Sequence, residues 1–247
     1  MAHEAEMQSE DPHRQNGLLA SFEAKELDEL RPSLEAIELG RMSVIYEAGT
    51  CIEQIYFPHN SIISLIAIMR DGRMAETGTV GREGFTGSEI MLSSDCTSNS
   101  HCVAQVAGSA SRLPSTVLRG FMERRPHARK LLMAYTRALF SQVLQSVACN
   151  ATHSVEERCA RWLLMTHDRA ETDSFELTQE FLAEMLGVRR ASVNLVSSVF
   201  QKDGLIRYSR GVITILNRTG LESVSCECYG LVRGIFKKLL PHPALKH

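Results

Sequence analysis

The stretch that most constrains this chain is TQEFLAEMLGVRRASVNLVSSV, residues 178–199. With Thr178 as N-cap and Gln179 as the first helical residue, Leu182, Ala183 and Leu186 fall on one face of a short helix. Gly187 follows the last periodic residue, where a left-handed backbone ends a helix at little steric cost. Val188 then plugs the corner, and Val193 and Val196 of a second helix point back at Leu182 and Leu186. Ala183 is small enough to let the two helices approach closely. Two helices joined by a tight glycine turn imply a helix-turn-helix; the alternative is a plain helical hairpin. Cationic and amide side chains on the outer face of the second helix favour the former.

The amino-terminal part of a recognition helix is the part that enters the major groove. That places Arg189, Arg190, Ala191, Ser192, Asn194, Leu195 and Ser198 at the bases. Arg190 suits bidentate contact with a guanine edge and Asn194 can pair with adenine, whereas Ala191 or Leu195 offers only apolar contact with a thymine methyl. Thr178 and Gln179, at a helix amino terminus, suit a phosphate. The following GLIRYSRGVITIL reads as a β-hairpin wing with Arg207 and Arg210 near its tip, and guanidinium groups there fit phosphate oxygens.

Net charge is −2, which alone does not suggest a polyanion partner. The distribution is uneven: residues 1–149 carry 14 basic against 18 acidic side chains, and residues 150–247 carry 13 against 11. A local basic face is sufficient for phosphate contact. The chain has no run near 18 consecutive apolar residues and so no expected membrane span; its polar, acidic start is unlike a signal peptide. A cytoplasmic protein with a flexible tail over residues 1–17 is expected. Seven scattered cysteines then default to reduced thiols.

The texture divides the rest. Residues 18–36 have helical spacing, interrupted at Pro32. Short β-branched runs follow at 42–46, 52–58, 61–69, 75–81, 101–108 and 109–114, and Asp71-Gly72 between two of them signals a hairpin. Such closely spaced strands read as a sandwich or barrel. VGREGFTG, residues 80–87, reads as a turn of that unit with Arg82 and Glu83 at its tip, since no helix follows to make a phosphate loop. From about 117 the chain turns helical, with Pro126 a helix start and no further Gly or Pro until beyond Asn150. Leu132, Tyr135, Leu139, Gln142 and Ser146 approximate a coiled-coil seam. The other possibility is that this helix packs on its own β unit.

In this order of units the chain resembles the CRP/FNR family of bacterial transcription regulators over nearly its whole length. LTQEFLAEMLGVRRASVN…FQKDGLIRYSRGVITI is similar to that family's T…E(I/L)A…LG(V/C)(S/T)RETV(S/G)R…L…G(L/I)I pattern. The resemblance implies an α+β fold with an N-terminal β-roll (a jelly-roll similar to cyclic-nucleotide-binding domains), a long dimerisation helix and a C-terminal winged helix-turn-helix. The corresponding boundaries are 18–125, 126–152 and 153–247. It also implies a homodimer on pseudo-palindromic double-stranded DNA, and RNA polymerase as a partner. Two departures stand out: Ala191 and Leu195 occupy places where relatives carry a polar Glu and Arg.

The sensor departs further. Nucleotide-binding members carry a GE(L/I)…RSA cassette, whose Glu takes the ribose and whose Arg takes the phosphate. Here GSEIMLSSDCTSNSHCV puts Glu89 or Ser88 near the Glu, Asn99 at the Arg and Ser100 at the Ser. Without the cation a buried cyclic phosphate is uncompensated, so cyclic-nucleotide binding is not expected. Iron–sulfur members carry clustered N-terminal cysteines; this chain has none before Cys51. His59, His101, Cys96 and Cys102 are the residues that could ligate haem. No cofactor is expected, and the effector is open. Cys226 and Cys228 are two thiols, too few for a four-ligand site, so no metal is expected there and a helix bearing cysteines is the preferred reading; a redox role stays open. A cupin-type enzyme would need an H-x-H motif, which is missing, so no catalysis is expected. The remaining competitor is a ligand-binding adaptor whose C-terminal unit binds protein.

Overall fold

The computed structural model describes residues 11–240. The expectation of a flexible tail over 1–17 fails for residues 11–17; residues 1–10 lie outside the described residues. A short 3-10 turn spans Pro12–Gln15 and leads into α1 (Gly17–Ala20). Asn16 is fully buried: its Oδ1 accepts from the Leu18 and Leu19 amides, and its Nδ2 donates to the carbonyls of Pro58 and Gly84. A buried amide with all these partners satisfied fixes the segment against the roll.

Helix α2 (Ala24–Leu30) opens with a capping box between Glu23 and Glu26. The roll follows: β1 (Glu35–Leu39), β2 (Val44–Tyr46), β3 (Gln54–Pro58), β4 (Ile62–Ile68), β5 (Met74–Val80), β6 (His101–Val106) and β7 (Gly108–Pro114). They form two antiparallel sheets, ordered β1-β7-β3 and β2-β6-β4-β5. The Asp71-Gly72 hairpin joins β4 to β5, with Gly72 at φ 82°. Strand β1 escaped the sequence reading because its burial is one-sided and mostly exposed.

Helix α3 (Ser115–Arg124) leads to the 27-residue α4 (Pro126–Thr152), whose first turn accommodates Pro126 because no intrahelical partner is needed there. Leu132, Tyr135, Ala138 and Leu139 of α4 enter the same core as Phe57, Phe85 and Phe121 of the roll and α3. Gly84 runs directly under the Tyr135 ring, where any side chain would clash. Helix α5 (Val155–His167) carries a Ser154–Glu157 capping box and leads to β8 (Ser174–Glu176). Helices α6 (Gln179–Leu186) and α7 (Arg190–Lys202), then β9 (Ile206–Ser209) and β10 (Val212–Ile215), complete a three-stranded sheet ordered β8-β10-β9. Strand β8, three residues with one buried side chain, is too short to give a pattern in the sequence.

Helix α8 (Arg218–Val224) is followed by α9 (Cys228–Leu239), which returns along α4. Val232 and Phe236 of α9 join the core of the roll rather than that of the helix-turn-helix. Each such fully buried side chain contributes about 1.5–3 kcal/mol. The second core combines α5, α6, α7 and the small sheet with Ile62, Ile66 and Val103 of the roll, so the two halves are packed together.

Candidate nucleic-acid interface

The helix-turn-helix forms as its residues dictate. Thr178 Oγ1 accepts from the Phe181 amide at 3.1 Å, capping α6; such a cap is worth about 1 kcal/mol. Gly187 is left-handed at φ 63°, ψ 37°, and the Val188 amide closes on the Ala183 carbonyl at 2.9 Å. Phe181, Leu182, Ala183, Met185 and Leu186 are buried against Val193, Val196 and Phe200 of α7. Arg189 is the N-cap residue of α7, and no side chain caps that end.

What this packing leaves outside is the outer face of α7. Arg189, Arg190, Ala191, Asn194 and Ser198 are exposed, Ser192 is half-buried, and Leu195 is 69% exposed. Arg190 lies 4.0 Å from Glu180, an exposed pair that water and salt screen. Ser198 already donates to the Asn194 carbonyl at 2.8 Å. Thr178 is exposed and Gln179 half-buried at the head of α6.

The wing is a two-residue hairpin in which Ser209 pairs with Val212. Arg210 and Gly211 both have positive φ, 50° and 78°, the primed turn that matches strand twist. Arginine is an unusual residue there, since a side chain in the left-handed region is strained. Arg210 and Arg207 are both exposed. The arrangement presents cations and amides on one helix face and guanidinium groups on an adjoining hairpin.

Several expected positions fall elsewhere. Leu132, Tyr135, Leu139, Gln142 and Ser146 are all buried, at 0, 0, 5, 1 and 7% exposure, against their own chain, so none of them is open to a second copy. The apolar residues α4 leaves open are Met133, Phe140, Leu144 and Val147. Glu83 is not at an exposed tip: it is 1% exposed and holds Arg169 at 2.7 Å. Glu89 and Asn99 occupy different surroundings. Asn99 is exposed before β6, while Glu89 lies close enough to Cys102 and Tyr46 to act on both. Ser100 is half-buried, and its carbonyl accepts from Ser98. The reduced-thiol expectation fails for Cys51 and Cys96, which form a disulfide with Cα atoms 4.8 Å apart. That pairing removes Cys96 as a haem ligand. His59 is also engaged, with Nδ1 at Ser109 and Nε2 at Ser111, and burial pulls its pKa down to about 4. Cys102 is fully buried beside Tyr46, and His101 pairs with Ile66 across β4 and β6.

Cys226 and Cys228 are the residues for which sequence reasoning missed partners. Cys149 and His153, one turn apart at the end of α4, stand beside them, and the four ligand atoms lie within 4.8 Å of one another. The C-x3-H spacing at a helix end was the available signal; nothing in the sequence connected it to a C-x-C more than seventy residues on.

A polar chain crosses between the roll and α5. Ser64 donates to Glu76, Trp162 Nε1 donates to the other Glu76 oxygen, and Gln105 donates to Thr166. Burial raises the Glu76 pKa against these hydrogen bonds. At the corner of the head, Arg41 lies 5.9 Å from the Phe181 ring centroid, and a Cβ on Gly187 would stand 3.6 Å from that of Ala75. The β4–β5 hairpin therefore touches the helix-turn-helix turn itself. Among the described residues no helix is long and apolar enough to cross a membrane.

Residues 157–224 match the family model of the Crp-like helix-turn-helix domain. No curated protein matches the chain. Among solved structures, FixK2 from Bradyrhizobium japonicum is similar at 17% identity over 78% of this chain and 98% of its own, with a TM-score of 0.67. A putative CRP/FNR-family transcriptional regulator from Eubacterium rectale is similar at 20% identity, covering 85% and 98%, with a TM-score of 0.64. A CRP-family transcriptional regulator from Thermus thermophilus reaches 19% identity, 76% and 96% coverage, and a TM-score of 0.64. The chain thus joins a Crp-like helix-turn-helix domain to the fold of the CRP/FNR-family transcription regulators.

Proposed function

We propose that this chain is a homodimeric, sequence-specific DNA-binding regulator that reads its operator with α7 and steadies it with the wing. The observation that carries this reading is the open face of α7, which exposes Arg189, Arg190, Ala191 and Asn194, together with the exposed Arg207 and Arg210 of the hairpin that packs against α7. In this reading Arg190 and Asn194 take base edges, Thr178 and Gln179 take a phosphate at the α6 amino terminus, and the wing arginines take phosphates. Ala191 and Leu195 make the site partly apolar, which favours thymine methyl groups over the contacts relatives make.

The second copy packs on α4. Met133, Phe140 and Val147 recur every seven residues with Leu144 between the last two, the spacing of a coiled-coil seam, and all four are exposed in one protomer. A two-fold axis along this seam would present two α7 helices to successive major grooves, hence a pseudo-palindromic operator. RNA polymerase as a further partner rests on the resemblance alone.

The roll is a sensor that uses something other than a cyclic nucleotide. Asn99 in place of the cassette arginine is exposed, and the space under α4 is filled by Tyr135 against Gly84 and Phe85. The β4–β5 hairpin, resting on Ala75 against Gly187, would carry a change in the roll to the head. Selection from random duplex DNA, followed by salt titration, tests the DNA reading. Calorimetry with cyclic AMP and cyclic GMP tests the sensor, and micromolar binding of either would refute that part.

A further inference from the structure

We propose that Cys149, His153, Cys226 and Cys228 bind one zinc ion in a closed tetrahedral site that staples the end of α4 to the start of α9. The four residues come from two segments far apart in sequence, brought together by the packing of α9 on α4. Their ligand atoms all fall within 4.8 Å of one another. Cys149 Sγ lies 3.5 Å from Cys226 Sγ, and Cys228 Sγ lies 3.7 Å from His153 Nδ1. With Zn–S near 2.3 Å and Zn–N near 2.0 Å, neighbouring ligands of a tetrahedron with three sulfurs and one nitrogen stand about 3.5–3.8 Å apart, so these two contacts need little movement to accept an ion. A polynuclear iron–sulfur cluster spreads its thiolates over several metal centres and does not suit so tight a set.

The donor set and its surroundings are those of a structural zinc site. Three thiols and one imidazole are a combination that zinc takes in closed sites, and softer sulfur ligands discriminate against magnesium and calcium. All three cysteines are buried, at 0, 4 and 1% exposure, which leaves no open position for a substrate. His153 Nε2 stands 3.2 Å from the Glu227 carboxylate. A proton held on Nε2 toward Glu227 leaves the Nδ1 lone pair facing Cys228, the carboxylate–histidine–metal arrangement. Gln145 Nε2 donates to Cys228 Sγ at 3.0 Å. Three thiolates and a divalent cation leave one excess negative charge, and Arg158 and Arg161 both lie near enough to act on Cys149. On binding, the three thiols release their protons to solvent and the sulfurs donate lone pairs to the metal; no electron is transferred.

The site also touches the reading head. Arg158 donates from Nη2 to the carbonyl of Leu186, the last residue of α6. An ion held beside Arg158 therefore borders the residue that anchors the helix-turn-helix corner.

The test is titration of the reduced full-length protein with cobalt(II) under argon, with zinc content of the isolated protein measured by elemental mass spectrometry. The expected result is one metal per chain, with sulfur-to-cobalt charge-transfer bands and the strong visible bands of a tetrahedral ion, displaced stoichiometrically by zinc. The Cys226→Ser/Cys228→Ser variant loses those bands, and the Cys96→Ser variant keeps them. Absence of cobalt uptake by wild-type protein that elemental analysis shows to be free of zinc overturns the proposal, a result that does not depend on any variant folding. A weak octahedral spectrum without sulfur bands overturns it too, as does full uptake by a folded Cys226→Ser/Cys228→Ser variant.

Discussion

Gly84 lies beneath the ring of Tyr135 so closely that a Cβ at position 84 would stand 2.0 Å from two ring carbons. The roll and α4 are thus in direct backbone-to-ring contact, and the space below α4 is occupied by the protein's own aromatic residues. Gly84→Ala should push Tyr135 off its position between Phe85 and Phe236. Overpacking of this kind costs about 1–3 kcal/mol. Chemical denaturation should show that loss; an unchanged midpoint would mean the ring yields freely.

Arg169 and Glu83 form a pair in which both side chains are 1% exposed. Removing one partner leaves a buried charge, whereas removing both leaves an apolar gap. Arg169→Met should therefore destabilise by about 3–5 kcal/mol, and the double variant Arg169→Met/Glu83→Leu should recover most of that. Equal losses for the single and double variants would show that an unpaired buried charge is not what destabilises the single variant.

The neutral His59 ring contributes a pH-dependent term. Burial depresses its folded pKa to about 4, against about 6.5 in an unfolded chain. Its contribution is fully present above pH 6.5 and is lost as pH falls through the interval down to about 4, amounting to about 3 kcal/mol. His59→Gln should flatten the fall of Tm across that interval relative to wild type. Parallel curves for the two proteins would contradict the assignment.

Phe140 is 60% exposed in the protomer. Phe140→Glu should convert a dimer to a monomer in sedimentation equilibrium with little change in secondary structure. Tyr135 substitutions should instead lower stability, because that ring belongs to the core. Retention of the dimer by Phe140→Glu would place the seam elsewhere.

The helix-turn-helix was legible because each of its positions is forced locally. Thr178 can cap, Gly187 can turn left-handed, and Val193 and Val196 have only one face to bury. The roll was legible for a similar reason, its turn glycines separating β-branched runs. The face of α4 proposed for a second copy was not, because α4 carries two apolar stripes. Leu132, Tyr135 and Leu139 face the roll, Met133, Phe140 and Val147 face outward, and spacing alone fits either. The wing tip at Arg210-Gly211 could be read, but β8 offers a single buried residue, Phe175. The Cys–His cluster had only the C-x3-H spacing at the end of α4 as a local signature, since its halves meet only through the return of α9 along α4.

The most direct test of DNA recognition is enrichment of random duplex DNA by the wild-type protein, followed by affinity measurements across salt on the selected sequence. The expected result is a two-fold symmetric motif and an affinity that falls steeply as salt rises. Arg190→Ala should lose about 1–3 kcal/mol of discrimination at one base position per half-site, while Arg210→Ala should weaken all sequences alike. Failure to enrich any motif, or binding indifferent to salt, would contradict DNA recognition.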